Sequence, residues 1–179
     1  MLRALSLLSF ALSLSACAEP AGEPDLFIAL TRDFEDFESW IVFDRGVDPV
    51  LPSHDHRSVI YLDRLPERGR LDFPVGTRIV RTQEPSEDPT GWELHAMVKR
   101  GDGFNAEGAA GWEFFELALT SERRPAVVWR GEGPPDGDGY FPGAPGADVL
   151  SCNHCHASAV DNDSVLSPAL DLAALAPPE

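Results

Sequence analysis

Near the end of the chain the sequence reads SCNHCHAS, which sets Cys152, Cys155 and His156 at C-x-x-C-H spacing. Four chemistries use such residues. Two thiols three positions apart can form thioethers with the vinyl groups of a haem while the adjacent imidazole faces the iron, the pattern of c-type attachment. A redox dithiol uses only the cysteines and belongs to a βαβ setting, and no such pattern surrounds this pair. A zinc site needs a fourth ligand, for which His54, His56, His95 and His154 are available. A disulfide across two intervening residues is strained. With no second cysteine pair in the chain, the sequence favours one covalent heme c, bound through Cys152 and Cys155 with His156 as the axial iron ligand. A zinc-binding or purely structural protein is the alternative.

The sixth iron position has few claimants. Once the start Met is removed, Met97 is the sole methionine. It falls in a strand, where a methionine usually packs in the core. His54 and His56 form an H-x-H pair in a polar loop, the ordinary setting of solvated histidines. The simplest expectation is a five-coordinate iron with His156 proximal and the distal side open. An open side binds small molecules, whereas a closed one only passes electrons.

The chain opens with MLRALSLLSFALSLSA, one arginine followed by an apolar run too short to span a bilayer. This reads as a secretory signal over residues 1–16. The next residue is Cys17, and LSAC resembles the lipobox of bacterial lipoproteins. The resemblance implies cleavage before Cys17, lipid on that cysteine, and anchorage to a bacterial membrane from the periplasmic side, with the outer membrane as the expected one. Residues 17–30, rich in Pro, Gly and Glu, read as a lipidated tether, and residues 31–175 as one haem domain. The whole chain carries 14 basic and 30 acidic residues. Loss of Arg3 with the signal leaves 13 basic residues and a net charge of −17. Such a surface excludes nucleic acid as a partner and suits a basic redox protein.

The elements that must position the motif are mostly strands. Segments 58–63, 73–84, 91–100, 112–119 and 125–132 are rich in β-branched and aromatic residues and are separated by turn signals. In the third of these, Leu94, Ala96 and Val98 alternate with His95, Met97 and Lys99. The expected fold is mainly β (α+β): an antiparallel sheet with a short N-terminal helix and a C-terminal haem-attachment segment. That helix is read over 31–41 from Phe34, Phe37 and Ile41, with Thr31 as its cap. The stretch 46–57 reads as a loop.

The segments FPVGTRIVR, WELHAMVKRGDGFN, GWEFFEL, VVWRG and CNHCH stand in the order and spacing of the cytochrome P-460 family, which includes the β-type cytochromes c-prime. The chain resembles that family over residues 30–172, and DNDSVLSPALDL after the motif is typical of a subgroup. The resemblance implies an antiparallel β fold with one c-type haem, often dimeric. Some members oxidise hydroxylamine, or hydroxylamine with nitric oxide, and carry an extra haem–lysine bond. Others bind nitric oxide or carbon monoxide in an apolar distal pocket capped by aromatics. At the end of the family's GT-x-x-x motif this chain has Arg81, whose guanidinium is a poor nucleophile. Lys99 is the only lysine and so the one amine left for such a crosslink; its plain reading is an exposed strand-end charge. A distal carboxylate would accept protons in hydroxylamine chemistry, with Glu107, Glu113 and Glu116 nearby in sequence. Phe104, Trp112, Phe114, Phe115, Tyr140 and Phe141 could cap a pocket; Phe104 and Phe141, in glycine-rich loops, are the preferred pair.

Overall fold

The computed structural model describes residues 26–47, 56–101, 103–132 and 152–177. The signal segment, Cys17, most of the tether, His54, Tyr140 and Phe141 lie outside the described residues. Six strands follow one another in sequence and in space: β1 (Ile41–Val47), β2 (Arg57–Leu62), β3 (Arg78–Glu84), β4 (Glu93–Lys99), β5 (Trp112–Leu119) and β6 (Pro125–Gly131). Every neighbouring pair is antiparallel. The architecture is therefore mainly β, with short helices only among the described residues.

Strict alternation in the central strands gives the sheet two covered faces. One face presents Val59, Tyr61, Val80, Leu94, Ala96, Val98, Phe115 and Leu117. The N-terminal segment lies over it, inserting Phe34 and Phe37. Phe34 meets Phe115 edge to face at 5.2 Å between ring centroids, a geometry worth about 0.5–1.5 kcal/mol beyond area burial. The opposite face presents Ile60, Leu62, Ile79, Met97, Trp112 and Phe114, and the C-terminal segment covers it with Val165, Leu170 and Leu172. That segment holds two helices, α1 (Cys152–Ala157) and α2 (Leu172–Leu175).

Two expectations are corrected. Instead of one amphipathic helix over 31–41, the chain makes two 3-10 turns, Thr31–Phe34 and Phe37–Ser39. Leu30, not Thr31, occupies the cap position. Asp36 between the turns is left-handed, with φ 60°, so a continuous helix is broken there. Phe34 and Phe37 still reach the same cluster, because a spacing of three suits a 3-10 turn. The second correction is β1, which takes up Ile41 and runs into the segment read as a loop. It is an edge strand with no fully buried residue. Its burial imposes no alternation, and it bends at Gly46, where the Asp44 carboxylate accepts the Gly46 N–H at 2.9 Å.

Candidate functional site

Positions i, i+3 and i+4 of a helix share one face, so α1 carries Cys152, Cys155 and His156 on one side by local geometry alone. Cys152 packs against the apolar cluster of the second sheet face. Burial pushes its thiol up to about 11. That is the opposite of what a nucleophilic redox cysteine needs. No disulfide joins Cys152 to Cys155.

The His156 ring lies 5.0 Å from that of Phe114 on β5. Its Nδ1 is 2.8 Å from the Ser164 carbonyl oxygen. A carbonyl only accepts, so Nδ1 carries the proton and Nε2 keeps its lone pair. This is how metal-binding imidazoles are usually oriented. The chain reverses to make this contact. Asp163 and Ser164 are consecutive left-handed residues, with φ 49° and 62°, and the Ser164 N–H donates back to Ala159 O at 2.8 Å. Backbone held in this way costs roughly 1–2 kcal/mol per residue. Strain of this kind collects at functional sites.

Two polar devices fasten this assembly to the sheet. Asn153, between the cysteines, accepts hydrogen bonds through Oδ1 from Asn105 Nδ2 and from Ala109 N, both at 2.7 Å. It lies directly over Gly108, where a Cβ would stand 2.3 Å from the Asn153 amide atoms. The second device is Asp163. One carboxylate oxygen accepts from Lys99 Nζ at 2.6 Å and the other from Phe73 N at 2.9 Å. Its backbone carbonyl accepts from Trp112 Nε1 at 2.6 Å. Burial raises the Asp163 carboxyl above its usual range, against the opposing pull of Lys99. Asn162 closes the following loop, donating to Val165 O and Leu170 O and accepting from Leu172 N.

The residues singled out by sequence fall into three groups. Met97, Arg81, His95 and Glu116 all share the sheet face that carries Phe114, with Arg81, His95, Glu116 and Trp129 in one cross-strand row. Met97 is buried in the core opposite Phe114. Lys99 is buried, not an exposed strand-end charge; besides Asp163 it donates to Ala110 O at 3.0 Å. Glu113 and Phe115 point to the other face, where Arg130 grips Glu113 through two hydrogen bonds of 2.7 and 2.6 Å. Glu107 is exposed. Phe104 lies under the Arg100 guanidinium, 4.5 Å from its centroid. Among the described residues no three His, Cys, Asp or Glu side chains converge as a metal shell. A cleft of about 480 Å³ lined by Arg57, Tyr61, Glu84 and Trp92 belongs to the opposite face.

Asn105, Gly108, Asn153, Asp163 and Ser164 do not stand out from the sequence as site residues. The only signal was the dense run of polar residues in DNDS just after the motif and the asparagine closing GDGFN.

Among the described residues, fold and site together define a six-stranded antiparallel sheet with a C-x-x-C-H helix docked on one of its faces. Comparison with family models, curated proteins and solved structures returns no match.

Burial lowers the His156 proton affinity below its ordinary value of 6.5, with the Arg81 charge adding to the effect. The unfolded chain thus binds this proton more readily than the folded one. The resulting stabilisation is complete above pH 6.5 and is lost as pH falls through the depressed folded value. For the metal-free polypeptide, denaturation midpoints should fall on acidification from pH 7 to 5, and His156→Phe should flatten that part of the profile. A wild-type midpoint independent of pH in this window would contradict the assignment.

Proposed function

We propose that the protein is an exported, membrane-anchored cytochrome with one heme c, which binds a small ligand of the nitric oxide type and can pass electrons. The observation that carries this reading is the His156 tautomer: a fixed Nδ1–H leaves Nε2 for a metal, on a helix that presents two thiols on the same side. The donor set fits the group. Thioethers suit a thiol seated on an apolar cluster better than redox exchange does. One imidazole suffices for haem, whereas a structural zinc site takes four ligands.

Haem bound here would supply an iron with an open position for a small ligand. The chain's own residues do the rest. Ser164 orients the imidazole, Asn153 and Asp163 hold the helix against the sheet, and Met97 and Phe114 supply apolar floor. Within the resemblance to the cytochrome P-460 family, ligand binding is preferred to hydroxylamine oxidation. The only lysine already holds Asp163, and Arg81 occupies the motif position.

Expression with haem-maturation machinery tests the reading. The purified protein should carry a porphyrin mass that survives denaturation. The ferrous Soret band should lie near that of ordinary c-type haem and shift on adding nitric oxide. Cys152→Ser/Cys155→Ser should abolish the covalent mass. A strongly red-shifted band with a haem-crosslinked peptide would favour the hydroxylamine-oxidising enzyme instead. No porphyrin at all would leave a zinc or structural lipoprotein.

A further inference from the structure

The orientation of the His156 ring depends on where the Ser164 carbonyl points. Two peptide groups flank Ser164, and all four of their polar atoms are bonded. In the first, the Asp163 carbonyl accepts from Trp112 Nε1 at 2.6 Å and the Ser164 N–H donates to Ala159 O at 2.8 Å. In the second, the Ser164 carbonyl meets His156 Nδ1 at 2.8 Å and the Val165 N–H donates to Asn162 O at 3.0 Å. Three of these bonds are made within residues 156–165. The fourth comes from β5, 51 positions away in the chain.

The indole that supplies it is fixed in place. Trp112 is fully buried. Phe73 packs against it edge to face with centroids 5.8 Å apart, and the Lys99 ammonium lies 5.2 Å from the ring centroid. The N–H is the one polar group on the side chain, so a phenylalanine fills most of the same space without making the bond. Asp163 and Ser164 are both left-handed, a conformation that residues other than glycine keep only where the surroundings impose it. Lys99 and Phe73 N hold the Asp163 carboxylate, but the indole alone holds the peptide plane from outside the turn. Rotation of that plane would carry the Ser164 carbonyl away from Nδ1.

We propose that Trp112 is a positioning residue for His156: its N–H fixes the peptide plane that aims the Ser164 carbonyl at Nδ1, which keeps the lone pair on Nε2. A second clause rests on the haem reading above: through this contact Trp112 sets the donor strength of the axial ligand. A hydrogen bond from Nδ1–H to a carbonyl raises the basicity of the opposite nitrogen. The Val165 N–H bond on the same peptide group strengthens that carbonyl as an acceptor. Trp112 therefore acts from behind the imidazole and not as an aromatic cap over a ligand pocket.

Two arms separate these claims. In the first, the imidazole nitrogen shifts of His156 are recorded by NMR in the haem-free polypeptide, well above the ordinary histidine value of 6.5, where the ring is neutral. Wild type should show the Nδ1–H tautomer alone, and Trp112→Phe should show both tautomers in exchange. Phe73→Leu disturbs the same core but leaves the Phe73 N–H and the indole bond. It should lower the urea midpoint and keep the single tautomer. A Trp112→Phe protein that keeps the single tautomer overturns the positioning role, and so does a Phe73→Leu protein that loses it. Should Trp112→Phe not fold, hydrogen exchange in the wild type, with or without haem, decides. The Trp112 Nε1 and His156 Nδ1 protons should exchange through one opening of the turn, with the same free energy. A His156 proton that exchanges while the indole proton stays protected overturns the proposal. In the second arm, the iron–histidine stretching frequency of the ferrous haem-loaded protein should fall in Trp112→Phe and stay unchanged in Phe73→Leu. An unmoved frequency in Trp112→Phe, with mixed tautomers in the haem-free polypeptide, overturns the second clause alone. Failure to attach haem at all removes the function proposed above, while the first arm still decides the role of Trp112.

Discussion

Gly108→Ala should destabilise the protein by about 2–4 kcal/mol, combining overpacking with the loss of hydrogen bonds. The added methyl would stand 2.3 Å from both amide atoms of Asn153 and 2.5 Å from Asn105 Oδ1. Asn153 must then leave, and with it go its two hydrogen bonds to the glycine-rich loop. Urea denaturation checks this as a lower midpoint at unchanged slope. Because the two residues are in contact, their effects should not add. Gly108→Ala/Asn153→Ala should cost less than the sum of the single changes, since a short side chain at 153 removes the closest of the methyl's clashes and the hydrogen bonds of Asn153 can be lost only once. On the haem reading the yield of covalent porphyrin should fall in the same order. A Gly108→Ala protein as stable as wild type would mean that α1 is not held by this contact.

Lys99→Met should be the most damaging single change, costing about 3–5 kcal/mol, the usual penalty for stranding one partner of a buried ion pair. The Lys99–Asp163 bridge is 2.6 Å long and mostly shielded from water. Without the ammonium, the Asp163 carboxyl, already raised by burial, has only the Phe73 N–H to favour its charged form. A carboxyl raised in the folded state contributes stability that is present below its unfolded value of 3.8 and lost as pH rises through the folded value. The Lys99→Met protein should therefore recover part of its stability on acidification, where the wild type loses stability through His156. Lys99→Met/Asp163→Asn removes both charges while keeping an acceptor for Phe73 N. It should be more stable at pH 7 than Lys99→Met alone. On the haem reading, the Soret position should be unchanged in the double variant, because Lys99 is engaged by Asp163. A variant more unstable in acid than at neutrality would refute the stranded-carboxylate account.

The two predictions share a feature that bears on what could be read before the fold. Asn153 is 48 positions from Asn105, and Lys99 is 64 from Asp163. Neither partner is implied by the other's surroundings. By contrast, β2 to β5 were legible because each is buried on both faces for most of its length and so reads as a run rich in β-branched, aliphatic and aromatic residues. β6, although an edge strand, still carries the β-rich run Ala126–Trp129. The segment 112–119 matches β5 residue for residue. β1 was missed because none of its residues is buried and its second half carries Asp44, Arg45 and Gly46, so neither burial nor composition marks it as a strand. The N-terminal helix dissolved into two turns because Phe34 and Phe37 satisfy either geometry, and the left-handed Asp36 decides between them.

Local sequence by itself determined the central strands and the one-sided placement of Cys152, Cys155 and His156, because both depend on residue types and spacing within a few positions. Only the tertiary structure decided which sheet face receives α1, how Ser164 selects the His156 tautomer, that Lys99 is an internal anchor, and that Glu113 points away from the site. It alone also brings the Trp112 indole to the Asp163 carbonyl. Those outcomes depend on where buried polar groups find partners. Such partners are supplied by segments distant in the chain, which the folded sheet brings within hydrogen-bonding distance.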